Sequence, residues 1–451
     1  MRSTFRSLRV RNYRLFASGQ LVSLTGTWMQ RAGQDWLVTQ LVHPAGTAVG
    51  ITTGLQFLPI LLFGLKGGVI ADRFPKRRTL FATQTAMGLV ALALGLLVLE
   101  RAVTLHEVYL LAFLLGCATA VDNPVRQSFV SEMVGPDEIG NAIGLNSATF
   151  NSARMVGPSV AGLMIGTVGI AWVFLSNAIS FVAVICGLLA MRESELFPTP
   201  RLPRAKGQVR EGLAYVSGRR QLVVPIILMG VVGMLGFNFQ ITLVLLDKTV
   251  FHRGAAAYGL LTSLLAAGCV IGALLGARRE RPTLRLLLVA ALAFGLLETL
   301  AALSPSYVAL GAILVPIGLV SMLLTTTANS TVQLNSDPAM RGRVMGLYML
   351  VFAGTTPIGA PLVGWMSQVL GARWGLLIGG VASLGVALCL IAVLRRRALA
   401  PAGAARGVPP GPVELEVEVG PNGVALPPAG VLGFAPLERG VDRPLGVARH
   451  P

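Results

Sequence analysis

Residues 67–79 of the chain read GGVIADRFPKRRT. A small, apolar run ends at Asp72, and four cations follow within six positions: Arg73, Lys76, Arg77 and Arg78. Small residues let a neighbouring helix approach closely, and clustered cations meet water and anionic lipid where a helix leaves a membrane. The stretch therefore predicts the cytoplasmic end of a membrane helix, with one acid that anchoring does not explain.

The composition supports a membrane protein. The 451 residues are 54% hydrophobic and only 13% charged, which is about half the charged fraction of soluble domains. Apolar runs of about 20 residues are typical of membrane-spanning helices. We predict an all-α membrane protein with twelve transmembrane helices, at residues 14–40, 47–70, 79–99, 107–129, 141–165, 170–190, 221–246, 257–277, 284–303, 307–331, 344–368 and 375–394.

The basic residues indicate the orientation of these helices. Of the 37 lysines and arginines, 26 lie in or next to the N-terminal segment, the even-numbered connections and residues 395–397. Only four lie in the odd-numbered connections. This bias follows the positive-inside rule and predicts that both termini are cytoplasmic. The net charge of +17 therefore reflects topology and does not predict nucleic-acid binding.

The chain divides into two similar halves. We predict a six-helix bundle over residues 1–190, a cytoplasmic linker with a short helix over 191–220, and a second six-helix bundle over 221–397. Glycines and prolines recur between the halves at nearly constant offset, which supports duplication and an architecture for alternating access. Residues 398–451 are rich in Pro and Gly and are predicted to form a disordered tail.

The sequence offers no pattern for catalysis or metal binding. The four cysteines lie in apolar spans without paired spacing, and the four histidines form no HExxH cluster. No GxxxxGK[ST] phosphate loop is present, so an ion gradient is favoured over ATP as the energy source. We therefore predict that the chain is not an enzyme and has no metal or cofactor.

The opening stretch resembles the signature loop of the major facilitator superfamily, G-x-x-x-D-R-x-G-R-[RK]. The matching residues are Gly68, Asp72, Arg73, Arg77 and Arg78. Pro75 stands at the usual glycine position, and the second-half copy has Gly276 in place of the acid. The resemblance implies the major facilitator fold and a cytoplasmic gate in which the acid engages the loop cations and a facing helix end.

A second motif lies in predicted span 5, where residues 153–162 read ARMVGPSVAG. A proline inside a helix produces a kink, and glycines allow tight packing, so an ordinary kinked membrane helix is one interpretation. Gly157, Pro158 and Gly162 also resemble the antiporter motif of the superfamily, which is associated with exporters.

Longer stretches resemble one branch, the transmembrane secretion effectors: GTWMQRAGQDWLV, DNPVRQSF and NAIGLNSATFNSARMVGPSVAG. The resemblance covers residues 10–395. It implies a multi-pass protein of the cell inner membrane that exports drugs, macrolides or siderophores. The drug-antiporter arginine of the superfamily has no counterpart in predicted span 4, which reads YLLAFLLGCATA.

Charged side chains within a membrane are costly and are functional candidates by default. We predict proton coupling or intramembrane charge roles for five residues: Asp35, Arg31, Arg154, Glu298 and Asp122. Arg31 and Asp35 are four residues apart and are expected to pair on one helical face, either for function or only to orient the helix. Arg154 would hold a substrate anion or pair with Asp35 or Asp122.

The remaining candidates concern the gate and the substrate. Asp122 and Arg126 are expected to form a gate pair near the cytoplasmic end. Glu298 is expected to be the only acid deep in the second half, as a proton or cation site or as a structural hydrogen-bonding group. Four amides are expected to line a cavity for an amphipathic substrate, with packing as the alternative: Gln30, Gln34, Asn238 and Gln240.

The favoured hypothesis is a secondary active transporter, namely a proton-coupled exporter of amphipathic small molecules that functions as a monomer by alternating access. Its partners would be the substrate, protons and the lipid bilayer. A facilitator or importer of the same fold is the alternative, followed by a non-transporting membrane receptor.

Overall fold

The computed structural model describes residues 6–135, 138–197, 208–277, 283–337 and 340–399, and the regular structure in these ranges is helical. The first six long helices are α1 (Arg11–Leu41), α2 (Gly46–Arg73), α3 (Lys76–Leu99), α4 (Leu105–Met133), α5 (Ile139–Thr167) and α6 (Ile170–Leu189). The helices after the linker are α8 (Arg220–Val231), α9 (Phe239–Thr249), α10 (Ala255–Ala277), α11 (Leu284–Ala302), α12 (Tyr307–Leu334), α13 (Arg341–Gly354), α14 (Thr356–Val369) and α15 (Ala372–Leu399).

The linker contributes one short helix, α7 (Gln208–Ser217), which confirms the predicted helical segment. It packs against α13 and α8. The backbone N–H of Asp337 donates to the Tyr215 hydroxyl at 2.9 Å, and the Arg219 guanidinium lies 3.1 Å from the Asp337 carboxylate. The linker helix is therefore fastened to the connection between α12 and α13.

Two of the predicted spans are not single helices. Span 221–246 is divided into α8 and α9 by a π-helical turn at Val232–Gly236. Span 344–368 is divided into α13 and α14, with Pro357 in the first turn of α14. A π-turn changes the hydrogen-bond register of a helix, and proline lacks the N–H that a continuous helix uses, so the helices are interrupted where a continuous apolar pattern predicts single ones.

Ten helical segments in the described part of the chain are long and apolar enough to cross a membrane. They correspond to ten of the predicted spans, with α8–α9 and α13–α14 each counted as one path. Helices α1 and α5 are 31 and 29 residues long, but they carry more polar residues and are less apolar than these ten segments. The protein is a multi-pass membrane protein, and the number twelve stays a prediction.

Two helix pairs make the most extensive contacts between the halves. Helix α2 packs on α14, and α5 packs on α10. Helices α2 and α10 are each the second path of their half, and α5 and α14 belong to the fifth. Each contact therefore pairs the second path of one half with the fifth path of the other, as the predicted repeat of the two halves requires. Residues up to Arg395 form one compact unit, and the predicted tail lies outside the described residues from 400 onward.

Candidate substrate cavity

A central cavity of about 640 Å³ lies between the two halves. Helices α1–α6 line one side, and α9, α10 and α12–α14 line the other with the turn before α9. Aromatic rings are frequent in its wall: Trp28, Phe57, Phe150, Phe181, Phe237, Phe239, Tyr258 and Phe352. A wall of rings interspersed with amides and hydroxyls suits an amphipathic small molecule.

One end of the cavity is closed by two tight helix crossings, at the end where α1 stops and α2 starts. A Cβ added to Gly259 would lie 2.4 Å from the carbonyl oxygen of Pro158, and one added to Gly162 would lie 2.5 Å from that of Ala255. In the other crossing, a Cβ on Gly46 would lie 2.5 Å from the carbonyl oxygen of Gly364. Only glycine fits such backbone approaches. We call this the closed end.

The antiporter-like motif forms part of this closure. Gly157 packs on Trp28, where an added Cβ would lie 2.6 Å from the Trp28 Cβ. Pro158 lines the cavity, and Gly162 lies in the α5–α10 crossing. The motif therefore lies at the contact between the halves, and its transport role stays a prediction.

Direct hydrogen bonds between the halves, within the described residues, also lie toward the closed end. They join Thr47 N to Gln368 Oε1, Ser159 Oγ to Ser263 Oγ, Ser263 Oγ to Met155 O, and Tyr258 Oη to Asp35 Oδ2. Opening this end requires that these bonds break.

Asp35 does not pair with Arg31 as expected. Its carboxylate is only 2% exposed, and Oδ2 accepts a hydrogen bond from the Tyr258 hydroxyl at 3.3 Å. Arg31 lies over the Trp28 ring, with 4.9 Å from Cζ to the ring centroid. The i, i+4 spacing keeps the two charges near each other, but their direct contacts are with the Trp28 ring and the Tyr258 hydroxyl and not with one another.

Arg154 likewise forms no ion pair with Asp35 or Asp122 in the described part of the chain. Its guanidinium carbon lies 5.6 Å from the Trp28 ring centroid. Arg31 and Arg154 both line the cavity. Two helices therefore bring two arginines to one indole ring.

Asp122 and Arg126 form the predicted ion pair. Asp122 is fully buried and also accepts hydrogen bonds from Thr83 Oγ1 at 2.9 Å and Gln84 Nε2 at 2.7 Å. Arg126 donates to Gln20 Oε1 at 3.1 Å. This network ties α1, α3 and α4 together inside the first half, so the pair has a structural role whatever it does in gating.

The cations of the 67–79 loop bind helix ends of the first half. Arg77 donates to the carbonyl oxygens of Leu188 at 2.6 Å and Leu189 at 3.1 Å, at the C-terminus of α6. Lys76 pairs with Glu132 at the end of α4. Arg73 and Arg78 are exposed. The side chains of Gly68 and Asp72 lie outside the described residues, so the proposed gate role of Asp72 stays a prediction.

Two of the four predicted cavity amides face elsewhere. Asn238 and Gln240 line the cavity. Gln30 accepts a hydrogen bond from Asn177 of α6 at 2.6 Å, and Gln34 accepts one from Gln56 of α2 at 3.1 Å. On α1, the cavity face holds Trp28 and Arg31 instead, roughly a quarter to half a turn away from these amides.

Glu298 is buried, at 1% exposure, and its Oε2 has no hydrogen-bond partner among the described residues. A second buried acid of the second half lies near the C-terminal end of α9. Asp247 is fully buried, and both of its carboxylate oxygens lack a partner in the same part of the chain. The Asp247–Lys248 pair at the end of an apolar run resembles a span boundary, which concealed this acid.

Comparisons with known proteins identify transporters as relatives of this chain. A family model described as transmembrane secretion effector matches residues 2–426, further than the 10–395 expected. The chain is 24% identical over 387 residues to the staphyloferrin A transporter of Staphylococcus aureus, covering 84% of this chain and 96% of that protein. It is 26% identical over 376 residues to the enterobactin exporter EntS of Shigella flexneri, covering 81% and 87%.

Solved transporters share the fold. A POT family transporter in complex with a thioalcohol conjugated peptide matches with a TM-score of 0.69 at 14% identity, over 86% of this chain and 96% of that one. A bacterial homolog of the human lysosomal transporter Spinster, in an inward-facing and occupied conformation, matches with a TM-score of 0.67 at 15% identity, over 86% and 97%. The family match, the transporter relatives and the shared fold lead to one conclusion: this chain belongs to the transmembrane secretion effector family of the major facilitator superfamily and is a secondary transporter, not an enzyme.

Proposed function

We propose that the chain is a proton-coupled exporter of amphipathic small molecules, siderophores first among them, in the inner membrane. In this proposal twelve spans cross the membrane, both termini are cytoplasmic, and one monomer is the transport unit. The observation that carries it is the central cavity, sealed between the halves at one end by glycine crossings and lined by rings and amides. Such a cavity suits alternating access.

The positive-inside rule assigns the closed end to the outer side. The described cations of the basic connections, among them Arg77, Arg192 and Arg219, lie at the opposite end of the helices, where α2 ends and α3 begins. The described conformation would then accept substrate from the cytoplasm, which is the loading state of an exporter. The names of the two relatives, a transporter and an exporter, favour siderophores among the substrate classes considered.

Asp35 is our candidate for coupling. It is buried at the closed end, and it accepts the hydrogen bond from Tyr258 across the two halves. The ionised carboxylate only accepts hydrogen bonds. A bound proton makes it a neutral acid, which can also donate one. Proton binding would thereby alter the contact that must break for outward release.

The test uses inside-out vesicles that contain the full-length chain and an imposed pH gradient. Vesicles are challenged separately with catecholate and hydroxycarboxylate siderophores, macrolides and cationic dyes. We expect a siderophore to dissipate the gradient with the wild-type chain and with Glu100→Gln, an exposed acid, but not with Asp35→Asn. Substrate uptake without proton movement would indicate a facilitator, and absence of uptake for the whole panel would contradict the proposal.

A further inference from the structure

The cavity wall carries positive charge, and no acid lies among its described residues. Its described lining includes three arginines, Arg31, Arg126 and Arg154, and no Asp, Glu, Lys or His. Arg126 is neutralised by Asp122 outside the wall. Arg31 and Arg154 have no carboxylate within ion-pair distance in the described part of the chain. A ligand entering this space meets two guanidinium groups that make no direct ion pair with a described residue.

Arg31 and Arg154 are held at one place. Arg31 of α1 and Arg154 of α5 lie 4.9 and 5.6 Å from the centroid of the same Trp28 ring. The close contact of Gly157 with Trp28 fixes the spacing of these two helices. Arg31 also lies 5.6 Å from the Phe57 ring centroid. One small molecule can therefore reach both guanidinium groups while its apolar part contacts rings.

The surrounding rings do not replace a counter-ion. A cation–π contact is worth about 0.5–2 kcal/mol, whereas a charge within a membrane costs several kcal/mol by most measures. The Nε of Arg31 is buried and has no hydrogen-bond partner among the described residues. Guanidinium groups bind carboxylates and other oxyanions with two parallel hydrogen bonds, so an acidic ligand would satisfy both charge and geometry.

We propose that Arg31 and Arg154 form a binding site for the acidic oxygens of the substrate, and that the cavity takes amphipathic organic anions with carboxylate or catecholate groups. This proposal rests on the proposed function and narrows it. Cationic amphipaths are poor ligands for this wall because it offers them no carboxylate. Trp28 orients the two arginines and provides a flat surface for the ligand's apolar part.

The test is equilibrium binding to the purified full-length chain in nanodiscs at fixed ionic strength. Three probes share one ring system and differ in charge: 1-naphthoate, 1-naphthamide and 1-naphthylmethylammonium. A fourth, 2,3-dihydroxybenzoate, tests a carboxylate that also carries a catechol group. We expect the anion to bind about tenfold or more tightly than the amide or the cation, since hydrogen bonds to charged groups are the stronger ones.

Variants assign the effect to the two arginines. Arg31→Gln and Arg154→Gln should each weaken anion binding by about tenfold and leave amide binding unchanged. The affinity of Arg154→Lys for the anion should lie between those of the wild-type chain and Arg154→Gln, because the charge remains but the planar guanidinium group is lost. Arg101→Gln, at an exposed residue in the connection after α3, is the matched charge control. Circular dichroism and size-exclusion profiles verify that each variant is folded.

Equal binding of the three naphthyl probes, preference for the cation, or no binding by any anion would overturn the proposal. So would folded Gln variants that bind the anion like the wild-type chain. Anion binding without flux would refute the transport function and leave the site in place. Flux of a cation that is unaffected by substitution of either arginine would refute the site and leave the transport function in place.

Discussion

Tyr258 of α10 donates a hydrogen bond to Asp35 of α1, with 3.3 Å between the phenol oxygen and Oδ2. Both residues are 2% exposed, and Trp36 stacks on Tyr258 with an interplanar angle of 19°. The bond joins the two halves at the closed end of the cavity. Any motion that opens this end must separate the two residues.

Removal of this bond should favour the opened state. A hydrogen bond to a charged acceptor is worth about 1.5–3 kcal/mol, so Tyr258→Phe should shift the equilibrium toward opening by about tenfold or more. Distances between spin labels on the two halves, placed at the closed end, measure the shift. Tyr307→Phe is the control because its hydroxyl donates to Ala257 O within the second half. An unchanged distance distribution for Tyr258→Phe would show that the bond does not hold the end closed.

The glycine crossing between α5 and α10 should resist enlargement. In Gly162→Val the side chain would meet the Ala255 carbonyl oxygen, 2.5 Å from the Cβ position, so we expect a loss of about 1–3 kcal/mol in the closed conformation. Thermal unfolding and labelling of a cysteine at the closed end should both report it. Gly166→Ala on the same helix has nothing within 4 Å of the new Cβ and should be neutral or slightly stabilising. Equal behaviour of the two variants would contradict the packing argument.

Replacement of Glu298 by glutamine should leave the fold stable, and its effect on proton movement tests whether this residue takes part in coupling. The side chain is buried beside Gly236 and Gly379, and glutamine keeps its volume. We expect Glu298→Gln to fold with unchanged or higher thermal stability, because an uncompensated carboxylate is costly in this place. Proton movement per substrate, measured in vesicles, should fall if Glu298 takes part in coupling. Asp247→Asn serves as the comparison, since Asp247 is also buried without a partner in the described chain.

The linker helix should detach in acid. Hydrogen bonds from Tyr215 and Arg219 lower the pKa of Asp337 below its usual value. A lowered folded-state pKa means that the contact contributes fully above the unfolded pKa, about 4. It weakens as pH falls through the lower folded value. Amide exchange of residues 208–217 should therefore rise only in strong acid for the wild-type chain.

Asp337→Asn should raise the same exchange at neutral pH, because the ion pair with Arg219 is gone. Glu195→Gln removes an exposed acid that pairs with Arg192 elsewhere in the linker, and it should leave α7 unaffected. Exchange in Asp337→Asn that matches the wild-type chain at neutral pH would show that other contacts hold the helix.

Apolar runs and their spacing predicted the helices well, because the hydrocarbon core demands continuous apolar segments of fixed length. The breaks at Val232–Gly236 and before Pro357 were missed, since both lie inside runs that satisfy this demand. The helical face was also ambiguous. Gln30 and Gln34 share one polar face of α1 and Trp28 with Arg31 another, and a single sequence does not say which faces the cavity. Contacts with α6 and α2 decide that question.

If the cargo is an anion, as we propose from a described cavity wall with arginines and no carboxylate, the voltage across the membrane acts on the cargo itself. Moving one elementary charge through 100 mV changes its free energy by about 2.3 kcal/mol. An anion that leaves a negative cell interior moves down this field, and each additional negative charge adds the same driving force. The voltage would then expel the substrate while the pH gradient acts on the buried carboxylates, and the two forces would be separable with an ionophore that removes only one.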